Sequence, residues 1–219
     1  MFLPTPYPCV FELESPIGKY LCSILRDTNC ARKDFIAASN RLSTILLEGV
    51  LGEEPMVTEK RIAPTGAEYD HYLLKNPKLC YVSILRSAEA MLGQTMLLAD
   101  DVAHGFILIQ RNEETAMPEY YYHKFPKDLK ERTVVIVDPM IGTGGSACKC
   151  IEYLVGEGVH AENIRVVNMF SVKEGLELIT GRYPGVKVYT AVIDPILNDK
   201  NYMIPGVGDF GDRFFSTPH

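Results

Sequence analysis

The stretch Val134-Val135-Ile136-Val137-Asp138-Pro139-Met140-Ile141-Gly142-Thr143-Gly144-Gly145-Ser146 constrains the fold of this chain more than any other, because it reads as a buried strand running into a glycine-rich loop and then a helix. Such a passage builds an anion site. Glycines permit positive φ and close backbone approach, so successive N–H groups can converge on a phosphate while the following helix adds the positive end of its dipole. Thr143 and Ser146 can each donate a hydroxyl. The competing reading is a tight strand-to-helix turn with no ligand. A P-loop nucleotide site would need Lys and then Ser or Thr after the last glycine. Here Gly145 is followed by Ser146-Ala147-Cys148, which sets Walker-type hydrolysis aside. Gly206-Val207-Gly208-Asp209-Phe210-Gly211 matches the dinucleotide fingerprint letter for letter, but it has no following chain for the required βαβ unit and is read as a coincidence.

Around the loop, short apolar runs alternate with helical patterns. Leu79–Leu85, Gly105–Gln110, Thr133–Val137, Ile164–Phe170 and Val186–Ile193 read as strands; Ala88–Ala99, Ser146–Val155 and Ser171–Thr180 read as helices, the last capped by Ser171 and closed by Gly181 and Pro184. This alternation predicts an α/β fold, a mostly parallel twisted sheet with helices on its faces, whose ligands bind beyond the carboxyl ends of the strands. An earlier amphipathic helix starts at Asp34, taken as its N-cap, and runs to Leu51-Gly52. Residues 1–33 carry turn residues and no long periodic pattern, and read as an arm lying on the core or on a neighbour. Residues of about 110–127 read as a polar, flexible loop and a protruding hairpin arm, whose Tyr120, Tyr121 and Tyr122 hint at an oligomer interface.

With 219 residues, 47% hydrophobic and 23% charged, the chain suits a single domain spanning 1–219. Its net charge of −6 argues against nonspecific nucleic-acid binding. No apolar run reaches the ~18–20 residues that cross a bilayer, and the opening Met1-Phe2-Leu3-Pro4 lacks the basic region of a signal peptide, so a cytoplasmic protein without membrane partners is expected. The six cysteines are expected to be reduced thiols; Cys148-Lys149-Cys150 has one residue between its sulfurs, unlike zinc knuckles. His71, His104, His123, His160 and His219 are scattered, and no spacing marks a nucleophile with its base.

The apolar strand, the acidic residue and Thr143-Gly144-Gly145-Ser146 resemble the phosphoribosyl-pyrophosphate (PRPP) loop of type I phosphoribosyltransferases. Asp138-Pro139-Met140 before it is similar to one branch, the uracil phosphoribosyltransferases. Ile84-Leu85-Arg86-Ser87, the Gln110–Thr115 segment, Ile193-Asp194 with Leu197-Asn198, and the block from Tyr202 to Phe214 resemble that branch in order and spacing. The carboxy-terminal block is its most specific part.

The resemblance implies a type I phosphoribosyltransferase-like fold with a base-binding C-terminal hood over residues 195–219. It implies transfer of a phosphoribosyl group from PRPP to N1 of uracil, giving UMP and pyrophosphate in pyrimidine salvage. Arg86, Arg111, Asp138, Pro139, Met140, Ile141, Gly142, Thr143, Gly144, Gly145, Ser146 and Asp209 would bind PRPP, with Asp209, Asp138 and Arg111 catalytic. Tyr202, Met203, Gly208, Asp209 and Phe210 would meet uracil, largely through main-chain groups. Mg²⁺ would be carried by the substrate and oriented by Asp138 or Asp209, without an all-protein cage. Family members are commonly homodimers or homotetramers, and some are activated by GTP.

The chain departs from the family pattern in three places. Gly142 stands where alanine is usual, Ser87-Ala88 follow Arg86 where a small residue and glycine are usual, and the chain ends in Phe215-Ser216-Thr217-Pro218-His219 where Gly-Thr is expected. Rival readings are an inactive paralogue that binds nucleotide or partners an oligomer, and a purine or orotate phosphoribosyltransferase. The latter would keep paired acids before the glycine loop.

Overall fold

Strands buried on both faces carry apolar residues at nearly every position, and this is how the middle of the sheet is built. The computed structural model describes residues 1–74, 78–98, 102–111 and 118–217. In chain order the elements are β1 (Phe2–Pro4), β2 (Val10–Leu13), α1 (Pro16–Arg26), α2 (Arg32–Leu51), β3 (Met56–Ile62), β4 (Glu68–Leu74), β5 (Leu79–Leu85), α3 (Glu89–Leu98), β6 (Ala103–Arg111) and β7 (Pro118–Lys124). There follow β8 (Thr133–Val137), β9 (Met140–Ile141), α4 (Gly145–Gly156), β10 (Ile164–Val172), α5 (Lys173–Arg182), β11 (Lys187–Asp194), β12 (Ile196–Leu197), β13 (Met203–Ile204) and α6 (Phe210–Phe215).

The main sheet runs β1-β2-β11-β10-β8-β5-β6-β7, with β9 paired to β10. Its inner pairs, from β2/β11 through β5/β6, are parallel, and only β1/β2 and β6/β7 are antiparallel. Successive side chains of a strand point to opposite faces, so β8 feeds two cores at once. Val135 and Val137 pack with α1, α2 and α3 through Leu25, Leu46 and Met91, while Val134 and Ile136 pack with α4 and α5 through Ile151 and Leu176. This is the layered α/β sheet that the alternation predicts.

Three local expectations differ. The opening segment holds a full helix: the Ser15 side chain accepts from the Gly18 amide at 3.1 Å, Pro16 sits in the first turn, and Leu21, Cys22 and Leu25 are buried one turn apart. A proline just inside the start with a serine before it is an N-terminal signal. The second helix begins at Arg32 after an uncapped Ala31, so Asp34 lies within its first turn, near the positive end of the dipole. Ser171 is no cap. It belongs to β10 and donates to Asn168 Oδ1 at 2.7 Å, buried beside Thr190, while Val172 precedes α5.

The tyrosine run is the edge strand β7 of the main sheet, and Tyr120 stacks on Tyr153 of α4 with ring centroids 4.3 Å apart. β7 pairs antiparallel with β6, Phe106 opposite Lys124 and Arg111 opposite Pro118. The hairpin standing apart from the main sheet is β3–β4, a two-stranded ribbon with every residue of β3 exposed.

Candidate active site

The parallel strands end on one side of the sheet, where connections leaving β5, β8 and β11 meet. The connection from β8 is anchored before its glycines begin. The Asp138 amide donates to Val167 O at 3.2 Å, Pro139 O accepts from the amides of Met169 and Phe170 at 3.0 and 3.1 Å, and Met140-Ile141 pair with Phe170-Ser171. Gly144 then takes a φ of +78° and precedes α4 without any side-chain cap, which leaves first-turn N–H groups of that helix for a ligand. A hollow of about 40 Å³ is lined by Asp138, Met140, Ile141, Gly142, Gly144, Gly145, Ser146 and Ala147. A larger groove, about 630 Å³, lies between α1 and α2 and shares no residue with this loop. Anion chemistry, not volume, marks the site.

The connection from β5 links this loop to the carboxy-terminal segment. The Ser87 hydroxyl donates to Asp138 Oδ1 at 3.0 Å, and Asp138 is only 8% exposed. Beside it, Arg86 pairs with Asp212 at 3.0 Å and lies over the Phe215 ring, 5.5 Å from its centroid. An arginine fork so placed can pass from one acid to an incoming phosphate.

The connection from β11 forms a hood of β12, β13 and α6. Asn198 closes its turn, its side-chain oxygen accepting from the amides of Lys200 at 3.0 Å and Tyr202 at 2.9 Å. The hood reaches the glycine loop, since a Cβ on Gly142 would stand 3.9 Å from Leu197 Cδ2 and from Met203 Cε. Two arginines tie it down. Arg26 of α1 pairs with both oxygens of Asp194, which also accepts from the Gly206 amide at 3.0 Å, and Arg26 donates to Gly206 O at 2.9 Å. Arg213 donates to Leu25 O, to Val207 O at 2.9 Å and to Asp27 O at 2.7 Å, and lies over the Phe35 ring.

Most residues expected from the sequence therefore gather. Asp209 caps α6, its Oδ1 accepting from the Asp212 amide at 2.8 Å, and it stands near Arg86 across Gly211. Tyr202 is 49% exposed beside buried Met203, so it is no core aromatic. Phe210 is buried, its ring 5.0 Å from that of Phe35. Gly208 takes a φ of +72°. Arg111 closes β6, and the side chain of Arg111 and the loop 112–117 lie outside the described residues, as does His219.

Sequence reading missed Ser87 as the partner of Asp138, and Arg26 and Arg213 as the hood's fasteners. Both arginines bond to carbonyls or carboxylates far along the chain, and no local pattern marks that. All six cysteines are free, and burial pushes Cys22 and Cys148 up to about 11 and Cys80 to about 12, so these thiols stay protonated near neutrality. Burial lowers the His104 pKa, and its Nε2 lies 3.0 Å from Thr95 Oγ1. Among the described residues no group of three or more His, Cys, Asp or Glu side chains could hold a metal ion, and no helix is long and apolar enough to cross a membrane.

The comparisons with known proteins agree with this geometry. The family profile described as uracil phosphoribosyltransferase matches residues 12–217. A uracil phosphoribosyltransferase of Dictyostelium discoideum is 41% identical over 199 residues, covering 91% of this chain and 92% of its own length. That of Saccharomyces cerevisiae is 38% identical over 195 residues, covering 89% and 90%. Among solved structures, the AQ2163 protein of Aquifex aeolicus superposes with a TM-score of 0.85 at 27% identity, covering 95% of this chain and 98% of that one. An adenine phosphoribosyltransferase of Trypanosoma brucei, 14% identical over 92% of this chain and 90% of its own, shares the fold with a TM-score of 0.53. A profile that spans nearly the whole length, and relatives this similar from end to end, lead to one conclusion: this chain belongs to the uracil phosphoribosyltransferase family.

Proposed function

We propose that this protein transfers the phosphoribosyl group of PRPP to N1 of uracil, giving UMP and pyrophosphate, a step of pyrimidine salvage. The observation that carries the reading is the convergence of a helix-opening glycine loop, an arginine and a backbone-rich hood around Asp138 and Gly142. The main-chain amides of 142–146, with the Thr143 and Ser146 hydroxyls, hold the 5′-phosphate at the start of α4. Asp138, oriented by Ser87, faces the ribose hydroxyls. Arg86 exchanges Asp212 for the pyrophosphate.

Departure of pyrophosphate leaves positive charge on the ribose, so fixed charges do most of the catalytic work. Asp209 and Asp138 are oxygen donors of the kind Mg²⁺ prefers, and fit a hydrated ion brought in on the substrate. When bound, that ion neutralises charge on the leaving group. Main-chain donors and acceptors at Met203 and Gly208-Asp209-Phe210 read the carbonyl and N–H of uracil; cytosine would leave groups on both sides unpaired. Arg111, the last residue of β6, is assigned to the pyrophosphate of the donor.

The test is purified protein with labelled uracil, PRPP and Mg²⁺, run beside cytosine, hypoxanthine and orotate. UMP from uracil alone is expected. No product from any base would leave the inactive paralogue standing, and product from orotate or hypoxanthine would move the specificity elsewhere. Omitting Mg²⁺ should abolish turnover, and added GTP tests effector control. The same reading takes the protein as a cytoplasmic homodimer or homotetramer. The β3–β4 ribbon supports this, since an isolated hairpin is marginal in water and this one exposes Met56, Val57, Ile62, Tyr69 and Tyr72. Light scattering after size exclusion gives the assembly.

A further inference from the structure

Two glycines meet where the first turn of α5 lies against the glycine loop. A Cβ built on Gly175 would stand 2.2 Å from the carbonyl oxygen of Gly142, 2.8 Å from Cγ2 of Ile141 and 3.1 Å from the amide nitrogen of Gly144. A Cβ built on Gly144 would stand 2.8 Å from the carbonyl oxygen of Gly175 and 3.0 Å from its Cα. Most of these neighbours are backbone, which cannot swing aside as the end of a side chain does. The contact is closed from both directions.

What lies behind each partner differs. Gly175 belongs to a helix anchored by Leu176 and Ile179, both fully buried in the core between α4, α5 and the sheet. The loop has glycine at 142, 144 and 145, and such a segment has much conformational freedom to lose on ordering. Its own sequence offers little restraint at 142, where the side chain that would pack toward Leu197 and Met203 is missing. The start of α5 supplies that restraint from the other side.

We propose that Gly175 is a positioning residue for the donor's phosphate: lacking a Cβ, it lets α5 press backbone to backbone on residues 142–144 and holds their amides in place for the anion. It touches no substrate and acts only through the loop. The proposal rests on the reading of that loop as the phosphate site.

The experiment compares Gly175→Ala with Val188→Ala in the full-length protein, by steady-state kinetics for both substrates and by thermal melting. Val188→Ala removes packing from the same core at β11, outside α5 and the loop, so it lowers the melting temperature and leaves the KM for PRPP as in the wild type. Gly175→Ala raises the KM for PRPP by about tenfold or more, because small misplacements of binding groups are costly, while the KM for uracil changes far less. If Gly175→Ala is not recovered folded, Glu174→Gly loosens the same turn from its exposed side. It too raises the KM for PRPP, whereas Thr180→Gly at the far end of α5 does not. An unchanged KM for PRPP in whichever first-turn variant folds, or an equal rise in its control, overturns the proposal. If the wild type makes no UMP, the functional reading fails by itself. Calorimetric titration with ribose 5-phosphate then reads the same contrast: weaker binding by the first-turn variant alone supports the positioning role, and equal binding overturns it.

Discussion

The glycine loop and the C-terminal hood face each other across Gly142 but are built in opposite ways. The loop is a contiguous glycine-rich run, and its supports are the next parallel strand and the first turn of α5. The hood is held by contacts with the other end of the chain: Arg26 of α1 grips Asp194 and Gly206, and the hood's own Arg213 grips the carbonyls of Leu25 and Asp27. A phosphate needs only converging N–H groups, which a short motif can supply. A planar base needs a surface held at a set distance from the sugar, and that demands fasteners from outside the segment.

The difference can be broken most strongly at Asp194. Its side chain is 2% exposed, and Asp194→Ala would leave Arg26 and the Gly206 amide without their acceptor. Removing one member of such a buried pair costs about 3–5 kcal/mol. Urea denaturation at neutral pH should show a loss of that order, with uracil KM rising more than PRPP KM. An equal rise in both would mean that the hood and loop are not separately supported.

At Asp209 the proposed chemistry can be tested apart from the scaffold. Asn caps a helix about as well as Asp, so Asp209→Asn should keep α6 and change stability by under about 0.5 kcal/mol. Its kcat should nevertheless fall by about 10²-fold, the usual scale for losing one electrostatic group at a reacting centre. Normal turnover would place the ribose and metal contacts elsewhere.

On the loop side, Gly142→Ala should be mild. The added methyl would meet its nearest neighbours at 3.9 to 4.0 Å, ordinary contact, and the substitution restricts the unfolded chain. A gain of about 0.4–1 kcal/mol with both KM values unchanged is expected. Loss of stability would show that this glycine is required here.

The smallest effect lies outside both regions and calibrates them. Burial raises the Glu53 pKa, but hydrogen bonds from Tyr189 at 2.6 Å and Lys187 at 3.0 Å outweigh it and hold the carboxyl below the ordinary glutamate range. A carboxyl lowered in the folded state stabilises above its unfolded pKa, and that contribution is lost as pH falls through the folded one. Stability measured across the acid range should therefore decline less steeply in Glu53→Gln than in the wild type.

Legibility followed sequence distance. The strands at Leu79–Leu85 and Thr133–Val137 were readable to the residue because burial on both faces forces continuous apolar runs. The helix at Pro16–Arg26 was overlooked although its capping serine, proline and apolar spacing are all local. Ser171 looked like a cap because serine suits both that role and a buried hydrogen bond, and only the position of Thr190 on the neighbouring strand separates the two.

By itself the sequence determined the sheet's inner strands, the strand, glycine loop and helix at 133–156, and the family resemblance, since each depends on residues close together whose spacing is their physics. Tertiary structure decided which arginines hold the hood, that Ser87 steadies Asp138, that β7 is an edge strand, and that Gly175 rather than another glycine backs the loop. Those choices depend on which distant groups the parallel sheet brings within bonding or contact distance, and chain order alone does not contain that distance.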